Sequence, residues 1–188
     1  MTTEKKATGL PSIDKPWLKY YPDEVINAEL PVGTIYEYLI ENNKNFPKDI
    51  ALIYFGKHIT YGELFENIER TAKALVSVGV KANDIVTVAL PTIPEALYLV
   101  YAINKLGAVA NMIHPLAGEN EIVNYLNEVK ATHFFMFYGT YEIVKNALDK
   151  TSVKTGVVVS AAESLPFGIK QLYRFKTKEK TSFENSAL

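Results

Sequence analysis

Residues 85–113 read IVTVALPTIPEALYLVYAINKLGAVANMI, and the order of patterns inside them decides the fold. Ile85 to Leu90 is β-branched and almost wholly apolar, the composition of a strand buried on both faces. It stops at Pro91. Thr92-Ile93-Pro94-Glu95 then has the threonine-to-glutamate spacing of a capping box, with proline in the first turn, where a missing amide hydrogen costs little. The helix it opens is predicted to end near Leu106, and Ala108 to Ile113 is predicted as the next strand. Two strands joined through a helix of this length lie parallel.

The alternation extends both ways. Towards the N-terminus, Thr34-Ile35-Tyr36-Glu37 and Thr60-Tyr61-Gly62-Glu63 are two more capping boxes. The first predicts a helix ending before Pro47. The second predicts one ending at Gly79, with Leu64, Phe65, Ile68, Ala72, Leu75 and Val76 as its apolar stripe. Between them Ile50 to Tyr54 and His58 to Thr60 are short strands about a Gly56-Lys57 turn. Towards the C-terminus, Glu119 to Val129 is a predicted helix with Ile122, Tyr125, Leu126 and Val129 on one face. Thr132 to Tyr138 is a strand, Tyr141 to Lys150 a helix capped by Thr140, and Gly156 to Ala161 a strand. The expectation is an α/β fold: an open, doubly wound, mostly parallel sheet with helices on both faces. Residues 33–165 form that body. Residues 1–32, with Pro11, Pro16, Pro22 and Pro31, are expected as an extended arm. From 166 a basic tail follows, in which Ile169, Leu172 and Tyr173 keep helical spacing before Arg174, Lys176, Lys178 and Lys180. Such a charge run is read as a solvated surface.

Composition removes several classes of function. The formal charge is -1, so no basic field draws in nucleic acid. There is no cysteine, which excludes a disulfide framework, a thiolate nucleophile and a cysteine-built metal site. It also fits a cytoplasmic location, with contact at an anionic membrane surface through the tail as a second reading. The N-terminus carries lysines with no apolar stretch behind them, unlike a secretory signal. The longest apolar region, Ala96 to Ile113, is broken by Asn104, Lys105 and Asn111 and reads as core, not as a membrane span.

Residues able to carry chemistry fall largely into scaffold roles. No two glycines stand two residues apart, so a G-x-G-x-x-G loop is absent, and no glycine–lysine pair precedes serine or threonine as in a Walker A loop. His58, His114 and His133 are too far apart in sequence for helical zinc spacing. His58 falls in a predicted turn and is expected to face solvent. His133 lies in an apolar strand and is expected to be a hydrogen-bonded strand residue. His114 follows a strand and precedes Pro115, where open α/β sheets place ligands, yet the structural reading outweighs that one. No serine occupies a G-x-S-x-G elbow. Glu37, Glu63 and Glu95 have capping roles, and Glu41, Glu66 and Glu69 lie on polar helix faces.

Ile59-Thr60-Tyr61-Gly62-Glu63-Leu64 resembles the first core motif of the adenylate-forming (AMP-binding) superfamily, and Ala102-Ile103-Asn104-Lys105-Leu106-Gly107-Ala108-Val109 is similar to the second. In the latter a helix ends at glycine, which can leave it in a left-handed conformation. Ile113-His114-Pro115-Leu116 followed by Glu119 to Leu126 looks like a segment of fatty acyl-CoA ligases in which asparagine stands where this chain has His114. Lys15 to Tyr21 (KPWLKYY) resembles the opening arm of long-chain fatty acid ligases. These matches run in order across most of residues 15–160.

The resemblance implies the N-terminal subdomain of an ATP-dependent acyl-CoA ligase, which forms an acyl adenylate and passes the acyl group to coenzyme A. It implies ATP, Mg and CoA for the whole enzyme and a carboxylic acid, of the fatty acid class, as substrate. The family's phosphate loop, magnesium-binding glutamate, ribose-binding aspartate and C-terminal lysine match no segment here. No residue is therefore assigned a catalytic, cofactor-binding or metal-ligating role. The chain is expected to be an inactive fragment whose main partner is the remainder of its own polypeptide, with self-association through exposed apolar surface. The alternative is a stand-alone, non-catalytic α/β module for protein interaction or acyl binding.

Overall fold

Pro11, Pro16 and Pro22 stand at the start of turns in the computed structural model, which describes residues 7–30 and 32–177. The chain divides into two units, residues 1–32 and 33–188. In the first, helix α1 (Pro11–Asp14), a 3-10 turn (Pro16–Tyr20) and helix α2 (Asp23–Ile26) replace the extended course expected. The reason is that proline's fixed φ suits a first helical turn as well as an extended strand. Asp14 accepts hydrogen bonds from the amides of Thr8 and Gly9 at 2.9 and 2.8 Å and from Thr8 Oγ1 at 2.8 Å, which hold its carboxyl below the usual range.

The second unit opens on helix α3 (Ile35–Asn43). Its cap is reciprocal: the Glu37 amide donates to Thr34 Oγ1 at 3.1 Å and the Thr34 amide to Glu37 Oε2 at 2.7 Å. Strands β1 (Ile50–Tyr54) and β2 (Lys57–Thr60) form a separate antiparallel hairpin, turning at Phe55 (φ 48°) and Gly56 (φ 77°). Helix α4 (Tyr61–Ser77) has the same box built from Thr60 and Glu63, and buries Leu64, Ile68, Ala72 and Leu75 as one stripe.

Then the strict alternation begins: β3 (Ile85–Ala89), α5 (Pro94–Lys105), β4 (Val109–Met112), α6 (Glu119–Glu128), β5 (His133–Phe137), α7 (Tyr141–Val144, continued as a 3-10 turn to Lys150), β6 (Thr155–Val159) and α8 (Phe167–Thr177). Gly107, at φ 70°, makes the left-handed exit from α5. The sheet is parallel throughout, in the order β4-β3-β5-β6, with Val86 beside both Ala110 and His133. Alternate residues feed two cores, as a two-sided sheet requires. Val86, Val88 and Phe135 pack with α4 and α5 on one face; Ala89, Phe134 and Met136 pack with α6 and α7 on the other. The doubly wound α/β fold is thus the one observed. One close approach matters on the second face: a Cβ on Gly156 of β6 would lie 2.8 Å from Leu148 Cδ1 and 3.2 Å from Met136 Cε.

Two local expectations are corrected. Thr92 does not cap α5. Ile93 holds the cap position and has no side-chain bond to give, while Glu95 turns elsewhere. Thr140 does not cap α7 either, because its hydroxyl donates back to the Phe137 carbonyl at 3.0 Å. In the tail, Arg174 and Lys176 belong to α8; Lys178 and Lys180 lie outside the described residues.

Candidate functional site

The connection from β3 leads by way of α5 to β4, at one edge of the sheet, whereas that from β5 leads to β6, at the other edge. Neighbouring strands whose connections diverge mark the point where open α/β sheets take ligands, beyond the strand carboxyl ends. Here Ala89 is registered with Met136. The rim is therefore Leu90 to Thr92 after β3 and Tyr138 to Thr140 after β5, flanked by Ile113-His114 after β4.

His114 is exposed, and its Nδ1 accepts from the Leu116 amide at 3.2 Å while its carbonyl accepts from the Ala117 amide at 3.2 Å. An asparagine side-chain oxygen makes the same bond to an amide two residues on. The imidazole thus closes this turn as an asparagine side chain could. His133 is 3 % exposed, with Nε2 3.2 Å from the Val78 carbonyl and Nδ1 2.9 Å from Thr132 Oγ1. It is the hydrogen-bonded strand residue expected. His58 is exposed, as expected, but within β2 rather than in a turn.

Glu95, expected from its spacing to cap α5, instead faces Ser164. Its Oε1 accepts from Ser164 Oγ at 2.5 Å, and its Oε2 is buried without a hydrogen-bond partner. Burial pushes its carboxyl above the usual range, against the opposing pull of the Ser164 hydroxyl. Beside it, burial raises the phenols of Tyr98 and Tyr54. Glu163 goes the other way: Lys170, at 2.8 Å, and Arg174, at 2.5 Å, hold it below its ordinary value. Nothing in the local pattern marks this cluster, because Glu95 and Ser164 are 69 positions apart.

Among the described residues no group of three or more histidine or carboxylate side chains could hold a metal ion, and no helix is long and apolar enough to cross a membrane. The sequence profile of the AMP-binding enzyme family matches residues 39–185. The chain belongs to that family. A long-chain-fatty-acid–CoA ligase of Bacillus subtilis is 24% identical over 171 residues, which is 90% of this chain and 30% of that protein. An acetyl-coenzyme A synthetase of Brucella canis is 37% identical over 102 residues, covering 51% of this chain and 15% of the relative. The chain thus spans under a third of the length of either curated relative. Among solved structures, a long-chain-fatty-acid-CoA ligase of Archaeoglobus fulgidus superposes with a TM-score of 0.66 at 23% identity, over 72% of this chain and 30% of that one. A benzoate CoA ligase of Burkholderia xenovorans gives 0.63 at 21%, over 68% and 26%. At these identities the superpositions establish the fold.

In this member of the AMP-binding enzyme family, the segment that resembles the first core motif is a mechanical joint. Ile59 and Leu64 are buried at 2 and 3 % exposure, Thr60 and Glu63 close the cap, and the Gly62 amide donates to the Pro47 carbonyl at 2.9 Å. A Cβ on Gly62 would stand 3.1 Å from that same oxygen.

Proposed function

We propose that this chain is the N-terminal scaffold of an ATP-dependent acyl-CoA ligase, in which a carboxylate becomes an acyl adenylate and then a coenzyme A thioester. The observation that carries the reading is the family match over residues 39–185, laid on a sheet with helices on both faces. A fatty acid is the proposed substrate class, supported by the resemblances at Lys15 to Tyr21 and Ile113 to Leu126 and by the similarity to the Bacillus ligase. The described residues do not fit a magnesium-bound triphosphate: they offer no glycine-rich loop and no ligand cluster. The catalytic machinery is therefore assigned to polypeptide other than these residues, and the rim after β3 and β5 to a supporting wall of the site. ATP, magnesium and coenzyme A belong to the whole enzyme, whose proposed location is the cytoplasm.

Purified chain given ATP, labelled pyrophosphate, magnesium and a panel of short and long carboxylic acids should show no exchange above background. Exchange by this chain alone would place the catalytic groups within it and refute the scaffold assignment.

A further inference from the structure

Helix α8 has two apolar sides, and the fold uses one of them. Ile169 and Tyr173 stand one turn apart, and Tyr173 is half-buried against the core shared with α4 and α5. Phe167, Leu172 and Phe175 fall by helical period on another side, around Gly168 and Gln171. Each of the three is at least 66 % exposed. The seating of Tyr173 explains how α8 is held. It gives no reason for three large apolar side chains to face water together.

Charge is arranged around that patch. The helix contains no acidic residue. Arg174, seven positions after Phe167, borders the patch on one flank, and Lys176, four after Leu172, borders it on the other. Arg174 is shared with Glu163 at 2.5 Å, whereas Lys176 is exposed. In sequence the basic character continues through Lys178 and Lys180. Five cations and one acid lie between positions 167 and 180, in a chain whose formal charge is -1.

An occupant of this patch must offer apolar depth at its centre and negative charge at its border. A bilayer surface with anionic headgroups offers both, because lysine and arginine stems reach the phosphate level while aromatic and leucine side chains enter the acyl region. We propose that α8 is an interfacial helix that rests on an anionic membrane surface, with Phe167, Leu172 and Phe175 inserted and Arg174 and Lys176 at the phosphates. The helix lies on the surface and does not span it: among the described residues no helix is long and apolar enough to cross a membrane. This goes beyond the ligase reading and does not depend on it.

Co-sedimentation of the intact chain with lipid vesicles tests this. Binding to mixed phosphatidylcholine–phosphatidylglycerol vesicles should be roughly tenfold tighter than to phosphatidylcholine alone, and should weaken as salt rises. Phe175→Ser should weaken it roughly tenfold and Lys176→Gln roughly fivefold. Both side chains are exposed, so neither change threatens the fold. The chain has no cysteine, so Gln171→Cys can carry an environment-sensitive fluorophore within the patch. Its emission should shift to the blue on the anionic vesicles. The same label at Asn124→Cys, exposed on α6 across the sheet, should not shift. Equal binding to neutral and anionic vesicles, unchanged binding by Phe175→Ser, or an unshifted label at position 171 overturns the proposal. So does self-association of the chain with no vesicle binding.

Discussion

Lys105 Nζ lies 4.7 Å from the centroid of the Tyr36 ring and donates to Tyr36 Oη at 2.9 Å, while also pairing with Glu69. One ammonium thus joins α3, α4 and α5. With Tyr36 N donating to Asn104 Oδ1 at 2.9 Å, it sets the seat of α3 beside the second core motif.

Because this ammonium is partly exposed, its worth is modest. Lys105→Met should destabilise the chain by about 1 kcal/mol or less, a deficit that shrinks in high salt. Urea unfolding at two ionic strengths checks both parts.

The caps offer a sharper contrast. Thr60→Ala removes a side-chain bond to the Glu63 amide and should cost about 1 kcal/mol. Thr92→Ala, at a position that caps nothing, should stay within about 0.5 kcal/mol. Equal losses in urea unfolding would mean that Thr92 does cap α5.

At His114 the test is chemical replacement. His114→Asn should keep the turn, since the amide oxygen can accept from the Leu116 amide, whereas His114→Leu leaves that amide without its acceptor. Amide exchange at Leu116 should rise several-fold in the leucine variant and not in the asparagine variant.

Phe167, Leu172 and Phe175 on α8 are 80, 66 and 85 % exposed. Apolar side chains presented together on one helix favour association. Sedimentation velocity should show a concentration-dependent shift that Phe175→Glu reduces; a concentration-independent monomer at high loading would contradict the expectation.

What could be read from sequence was what is settled locally. Thr34 with Glu37 and Thr60 with Glu63 announce their helices because both partners lie within one turn. The stripe of Leu64, Ile68, Ala72 and Leu75 follows from period alone. Thr92 with Glu95 carries the same spacing and misleads, since Ser164, far along the chain, takes the carboxylate. The prolines of residues 11–22 are compatible with extended chain and with helical first turns, and local sequence does not choose. Nor does it place β5 beside β3: that neighbour is fixed by how α6 and α7 share one face of the sheet.

Gly156 carries an evolutionary consequence. With Leu148 Cδ1 and Met136 Cε filling the space a methyl group would need, a side chain at 156 must displace the ends of both, so β6, β5 and the turn after α7 adjust together. Relatives that bear alanine or a larger residue at position 156 should have a trimmed side chain at 148 or 136, and the three sites should drift as a correlated set.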